Sequence, residues 1–466
     1  MTQSETVSVE EKIRLDDLDV KYSMHPFTSV REHEKTGPLM IVEGHGCRLT
    51  DSSGRSYLDA MAGVWCVNIG YGNLEMADAM REQTARLSYY HSFSSMANDV
   101  STLLAQRVVE ASPVPMSKVF FSSSGSEAND TQVKLVWYYN NILGRPEKKK
   151  IISRKRGYHG VTVMAAGLTG LDFAHDGFDV PLPMIRHVRA PHRLWEAQPG
   201  MSDAEFSAQL ARELEDLILA EGPETVAAFI AEPVQAVGGV IIPPEGYFDA
   251  ISEVLKRYDI FLIADEVVCG FGRLGRWFGT EAMGMQPDLI TMAKGITSAY
   301  VPMSAVLISA RIWEVLEQGS DRYGVFGHGY TYTAHPLAAV AALTNINIIE
   351  RDHLVDLAAA RGLYLQERLR DAFGEHPLVA EIRGEGLVGA VEFVAKKSPL
   401  TRFDPDLHFG SLVFKASLAR GIINRALWGD TIAFSPPLIV TESEIDEMVE
   451  GTRLALDDVV AGLSRG

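Results

Sequence analysis

The sequence is poor in cysteine, short of positive charge and without long apolar runs, and each shortage excludes something. Its three cysteines, Cys47, Cys66 and Cys269, cannot all pair and none forms a CxxC. That argues against a disulfide framework and fits a reducing compartment. Lys and Arg number 43 against 61 Asp and Glu, a net charge of −18. A nucleic-acid or anionic-membrane partner would want a basic surface, so neither is expected. No apolar stretch approaches the length of a membrane span. The start, Met1-Thr2-Gln3-Ser4-Glu5, lacks the basic beginning and apolar core of a signal peptide. The expectation is a cytoplasmic protein.

What is present is ordinary for a soluble globular chain, with 46% hydrophobic and 22% charged residues. Its 466 residues exceed one compact core and predict roughly two or three domains. Residues 1–70 mix short strands and turns, such as Asp51-Ser52-Ser53-Gly54. From 71 to 335, apolar strand-like runs alternate with amphipathic helical segments. Val119-Phe120-Phe121, Ile151 to Arg154, Val226 to Ala231, Ile260 to Ala264 and Leu289-Ile290-Thr291 are such runs. This alternation predicts an α/β fold with a mostly parallel sheet covered by helices on both faces. Residues 336–466 read as helix, strands and a closing helix from Glu442. Together with 1–70 they are expected to form a smaller α+β domain. The stretch 170–200, rich in Pro, His and Gly, reads as a long functional loop.

Lys294 ends the run Leu289-Ile290-Thr291-Met292, and Asp265 ends the run before it. Their separation is about one strand–helix–strand unit, so a parallel sheet would bring both to its carboxyl edge, where open α/β sheets bind ligands. A lysine that forms a Schiff base and an acid that keeps a pyridinium nitrogen protonated suit pyridoxal phosphate. Ser124-Gly125-Ser126 follows another strand and opens a helix. Small residues at a helix start let backbone N–H groups approach a phosphate, although serine there is also an ordinary N-cap. The segment has neither a Walker lysine nor GxGxxG. Tyr158-His159-Gly160 follows Ile151–Arg154, where an aromatic can stack on a flat ring, and Glu232-Pro233 ends a further strand. A solvated lysine, a core tyrosine or a turn glutamate explains each position alone. Five chemically suited strand ends in one region are specific together.

The chain resembles the class III (ω-) aminotransferases of pyridoxal-phosphate fold type I over essentially its whole length. The residues that carry the resemblance are Ser124 to Ala128, Tyr158-His159-Gly160, Glu232-Pro233, Leu262 to Val267 with Gly270 to Arg273, Ala293-Lys294-Gly295 and His328 to Tyr332. It implies phosphate binding by Ser124, Gly125 and Ser126, ring stacking by Tyr158 and a cofactor-side carboxylate at Glu232. It also implies that Asp265 pairs with the ring nitrogen, Val267 packs beneath the ring and Lys294 is the catalytic lysine. Thr331 would reach the phosphate of a neighbouring subunit, which implies a homodimer or dimer of dimers with shared active sites. Ala62 to Gly72 is similar to the amine:pyruvate branch, where Trp65 would line the substrate pocket and Arg425 would bind an acceptor's carboxylate. Tyr89, Tyr90, Phe93, Trp65 and Trp428 suggest an aromatic-rich pocket, with Phe93 a substrate-binding candidate. Departures from the family pattern at Ala236-Val237 and Ala334 flank the site.

The activity implied is transfer of an amino group from a primary amine or ω-amino compound to pyruvate or a similar keto acid, with no metal. A 1,2-aminomutase or a decarboxylase on the same fold is the nearest alternative. A nucleotide-binding module would explain the serine-glycine loop but not Lys294 and Asp265.

Overall fold

Seven segments pair into one central sheet. They are β1 (Lys118–Ser122), β2 (Lys150–Arg154), β3 (Ile185–Val188), β4 (Val226–Ala231), β5 (Phe261–Asp265), β6 (Leu289–Met292) and β7 (Ser304–Ile308). Their spatial order is β1-β7-β6-β5-β4-β2-β3. Strands β2 to β6 pair in parallel with one another. Strand β7 runs antiparallel to both its neighbours, β1 and β6. Six strands therefore share a direction, and β1, β2, β4, β5 and β6 all end at one edge. Every residue of β4, β5, β6 and β7 is buried, the pattern of strands covered on both faces. Full burial of one such side chain, for example Phe229, contributes about 2–3 kcal/mol.

The computed structural model describes residues 9–180 and 182–464. Within 170–200, expected as one loop, it places the edge strand β3 and a short helix, Arg193–Glu196. β3 is only four residues long and mixes Arg186 and His187 with two aliphatics, so it lacks the apolar run that marks the inner strands.

The two chain ends meet. Strands Ile41–His45, Arg48–Asp51 and Ser56–Asp59 form an antiparallel sheet that Ile422–Ile423 extends in parallel. A second antiparallel sheet joins β8 (Val379–Glu385), β9 (Val388–Phe393), β10 (Arg425–Leu427) and β11 (Thr431–Phe434) in the order β8-β9-β11-β10. The closing helix, Glu442–Leu463, starts at a capping box of Thr441 and Glu444, which satisfies N–H groups otherwise orphaned at a helix start. No helix among the described residues is long and apolar enough to cross a membrane.

Candidate active site

A cavity of about 380 Å³ opens at the edge where the five strands end, lined among others by Ser124, Gly125, Ser126, Tyr158, Glu232, Asp265, Val267 and Lys294. Eight of the residues expected from sequence thus converge on one space. Met303 and Ala299 line it too, because reversed β7 begins at the edge where its neighbours stop.

Lys294 follows β6 with φ of +47°, a left-handed conformation that is costly for a residue with a side chain and concentrates at functional sites. The turn is held from behind. Asn345 Nδ2 donates to the Gly295 and Ile296 carbonyls at 2.8 and 3.0 Å, and Ser298 Oγ bonds Asn345 Oδ1. Burial pushes the Lys294 amine below its ordinary pKa, opposed by Cys66, Asp265 and Glu232 and aided by Arg425.

Asp265 is 2% exposed. Its Oδ2 accepts from His159 Nδ1 at 2.7 Å and from Asn129 Nδ2 at 2.9 Å, and its Oδ1 accepts the Val267 N–H at 3.1 Å. Asn129 donates also to the His159 carbonyl and accepts from Thr291 Oγ1 on β6, which Gln132 approaches in turn. The sequence reading gave no role to His159 or Asn129. Asn129 looks like a polar position on a helix face, yet it is fully buried; a buried amide needs partners, and here they are the carboxylate and its supports. Glu266, beside Asp265, turns away to accept the Gly279 and Thr280 N–H groups.

Ser124 is an N-cap, its hydroxyl accepting the Glu127 N–H at 3.2 Å, and Glu127 reaches back to the Ser123 N–H at 2.7 Å. The Gly125 and Ser126 N–H groups have no partner among the described residues and face the cavity end of the helix Gly125–Ile142, where the helix dipole favours an anion. The cap and the anion cradle therefore coexist. A Cβ on Gly125 would lie 3.1 Å from Val267, and one on Gly160, with φ of +126°, would lie 2.3 Å from Ser126 Oγ. Both positions keep the cradle open by having no side chain. Glu232 accepts the Tyr158 N–H at 3.0 Å and the Ala236 N–H at 3.2 Å, fixing the loop that presents the Tyr158 ring.

A second, larger cavity of about 880 Å³ lies alongside, lined by Phe27, Val161, Phe173, Phe178, Trp428 and Arg425 among others. Tyr158 meets Phe27 edge-on, with ring centroids 6.4 Å apart, where the two cavities adjoin. Arg425 stacks over the Trp65 ring at 5.2 Å and has no carboxylate within ion-pair reach among the described residues. Burial lowers its pKa. Trp65 itself is buried, its turn held by Asp59, which accepts N–H bonds from Met61 and Gly63. Trp65, expected to line the substrate pocket, and Phe93 and Thr331 do not line either cavity. Phe93 is 45% exposed, and Thr331 is exposed with its carbonyl accepting from Tyr89. Tyr89 and Tyr90 are likewise on the surface, whereas Trp428 lines the larger cavity.

Residues 29–456 match the family model for class-III aminotransferases. The chain belongs to the class-III aminotransferase family. It is 49% identical to a diaminobutyrate–2-oxoglutarate transaminase of Halomonas elongata over 96% of this chain and 97% of that protein. It is 46% identical to the mitochondrial gamma aminobutyrate transaminase 1 of Solanum lycopersicum, over 91% of this chain and 82% of that protein. The omega transaminase of Pseudomonas jessenii, solved in complex with PMP, superposes with a TM-score of 0.95 at 46% identity, over 97% of this chain and 99% of that one. The fold is that of the fold type I transaminases.

Class-III aminotransferases use pyridoxal 5'-phosphate, and the cavity fits that group. It has an anion cradle kept open at Gly125 and Gly160, a flat aromatic at Tyr158, a buried carboxylate at Asp265 and a lysine amine at Lys294. A bare nucleotide-binding module would need neither of the last two.

Proposed function

We propose that this aminotransferase moves an amino group from an apolar primary monoamine to a keto acid carrying one carboxylate, with pyruvate the acceptor. The observation that carries the reading is Arg425. It is a guanidinium without a carboxylate partner among the described residues, set in a cavity wall that is otherwise largely apolar. Arg grips a planar carboxylate through two parallel N–H bonds. A single such cation suits one carboxylate; the two of a 2-oxo diacid would call for a second. Among the described residues no acidic side chain lines the larger cavity, so a diamine's distal ammonium would be desolvated without a counter-charge. Phe27, Phe173 and Phe178 instead offer apolar surface to a hydrocarbon or aromatic substituent. A mutase that returns the same amino group would need no keto-acid acceptor.

When bound, pyridoxal phosphate supplies the aldehyde that exchanges with the amine and the ring that accepts electrons. The geometry supports the following contributions from the protein. Gly125 and Ser126 N–H groups bind the phosphate end, and Tyr158 covers the ring. Asp265, oriented by His159 and Asn129, holds a proton at the ring nitrogen. Lys294 Nζ, its pKa lowered by burial, moves the proton at the amine-bearing carbon. Arg425 orients the acceptor, and the phenylalanines exclude water around the donor.

We also propose a homodimer with shared sites: exposed Phe93 and Thr331, idle in their own subunit, would face the partner's cavity. The defining experiment is a donor panel with pyruvate, following loss and recovery of the cofactor's visible absorbance. Arylalkyl monoamines should support turnover far better than putrescine, taurine or β-alanine. Preference for a diamine, or turnover only with 2-oxoglutarate, would overturn the substrate assignment.

A further inference from the structure

Arg156 is a buried guanidinium, 8% exposed and two residues before Tyr158. It makes no ion pair among the described residues. One terminal nitrogen donates to His192 Nδ1, and the other donates to the Trp428 carbonyl at 3.3 Å. Its guanidinium also lies 5.0 Å from the centre of the Trp428 ring. Trp428 immediately follows β10, the three-residue edge strand that begins with Arg425. A second cation, Arg402, lies 5.9 Å from the same ring and 3.7 Å from that of Trp195. Trp195 Nε1 donates to Glu392 on β9, which also pairs with Arg383 at 2.7 Å.

A chain of contacts therefore runs from the Tyr158 loop, through Arg156, to the far end of the strand bearing Arg425. His192, Glu381 and Glu392 come close enough to suggest a cation site, but the hydrogen bonding excludes it. Arg156 donates to Nδ1, so the ring proton sits on Nε2, facing the carboxylates that Arg383 already neutralises.

We propose that Arg156 is a positioning residue for the acceptor half of the reaction, holding the Arg425 strand in register with the Tyr158 loop. Three residues paired on one side only make a strand that frays easily. The Arg425 side chain must stay unpaired to receive a carboxylate, so it contributes little to anchoring its own backbone. That anchoring falls to Trp428, held by backbone hydrogen bonding and by cation–π contact with two guanidiniums. An arginine that frays with its strand binds the acceptor only in the fraction of time it is correctly placed, which raises the acceptor's apparent dissociation constant in proportion. The amine donor does not use Arg425 and is spared.

The inference rests on the reading of Arg425 as the carboxylate-binding residue, and a mutant cycle separates the two. The holoenzyme variants are Arg156→Lys, Arg425→Ala and the double variant, with each half-reaction followed in single turnover. Lysine keeps the charge but not the planar, two-pronged donor. Arg156→Lys should raise the pyruvate concentration for half-maximal rate about tenfold, with the limiting rate and the amine half within about twofold. In the Arg425→Ala background the same change should have no further effect. Arg402→Ala, at an exposed position, should give a smaller acceptor-specific loss of about twofold and serves if Arg156→Lys folds poorly. Equal damage to both halves, or an Arg156 effect that persists without Arg425, would overturn the positioning role. No acceptor effect of Arg425→Ala itself would overturn the carboxylate reading instead.

Discussion

His159 Nδ1 donates to Asp265 Oδ2 across 2.7 Å, and both residues are 2% exposed. A carboxylate sealed in this way has one orientation, because Asn129 occupies a second acceptor site on the same oxygen and the Val267 N–H holds the other oxygen. Such supports orient a reacting group and raise its effectiveness without touching substrate. His159→Gln is expected to lower the limiting rate of both half-reactions about tenfold to a hundredfold. Asp265→Asn, which keeps the shape but not the charge, should cost several orders of magnitude, on the order of 10⁴. Stopped-flow traces of each half-reaction check this. Unchanged rates in the asparagine variant would remove Asp265 from the site.

Lys294→Ala should abolish turnover while leaving much of the cofactor bound. The phosphate cradle, Tyr158 and Asp265 lie on other strands and do not depend on the lysine. Mass spectrometry under denaturing conditions, after reduction with borohydride, should find the cofactor attached to the wild-type chain only. Near-native transamination by the alanine variant would sink the assignment.

Arg425→Ala should weaken acceptor binding by roughly 2–5 kcal/mol, the loss typical when one partner of a buried charge pair is removed. A simple monoamine should react at nearly the wild-type rate. Separate single-turnover measurements of the two halves decide the matter, and symmetric damage is the adverse result.

Burial pushes the Glu232 carboxyl up to about 7 from 4.5, opposed by His159 and reinforced by Asp265. Between those values the folded chain holds a proton that the unfolded chain has released. This contribution to stability is therefore present below pH 4.5 and lost as pH rises toward 7. Glu232→Gln removes the titration, so the wild-type Tm should fall relative to the variant across that window and run parallel to it above. Calorimetry of both proteins from pH 4.5 to 8 tests the sign. Parallel curves throughout would show that Glu232 does not change its protonation there.

The active unit should be at least a dimer, with an interface of more than about 2,000 Å². Phe93 and Thr331 stand exposed outside the two cavities that hold Lys294 and Arg425. Sedimentation of the holoenzyme should find dimer or tetramer, and a fully active monomer would count decisively against shared sites.

The cavity around Lys294 was legible because its parts sit at strand ends, and a strand end is a local signal: an apolar run followed by a polar or small residue. Asp265, Lys294, Tyr158 and Glu232 all announce themselves this way. The supports behind them do not. Asn129 lies in the second turn of its helix, and its burial depends on β5 and β6, more than a hundred residues later. The direction of β7 was hidden because its run Ala305 to Ile308 is aliphatic, and an apolar run reads alike in either sense. The wall of the larger cavity is assembled from Phe27, Phe173 and Trp428, hundreds of residues apart, so no window of sequence contains it. Arg425 was legible only through resemblance, since an arginine in a three-residue strand carries no pattern of its own.

The reversed strand β7 stands between β1 and β6. With neighbouring strands about 4.8 Å apart, it sets the ends of β1 and β6 about 10 Å from each other. The segment filling that gap, Ala299 to Met303, arrives at the edge instead of departing from it. Its side chains can change without breaking the β5–β6 ladder that sets Asp265 and Lys294, whereas β1 pairs only with β7 and depends on it. This part of the cavity floor is thus a replaceable tile, where variation or engineering can reshape the pocket while Asp265 and Lys294 keep their places.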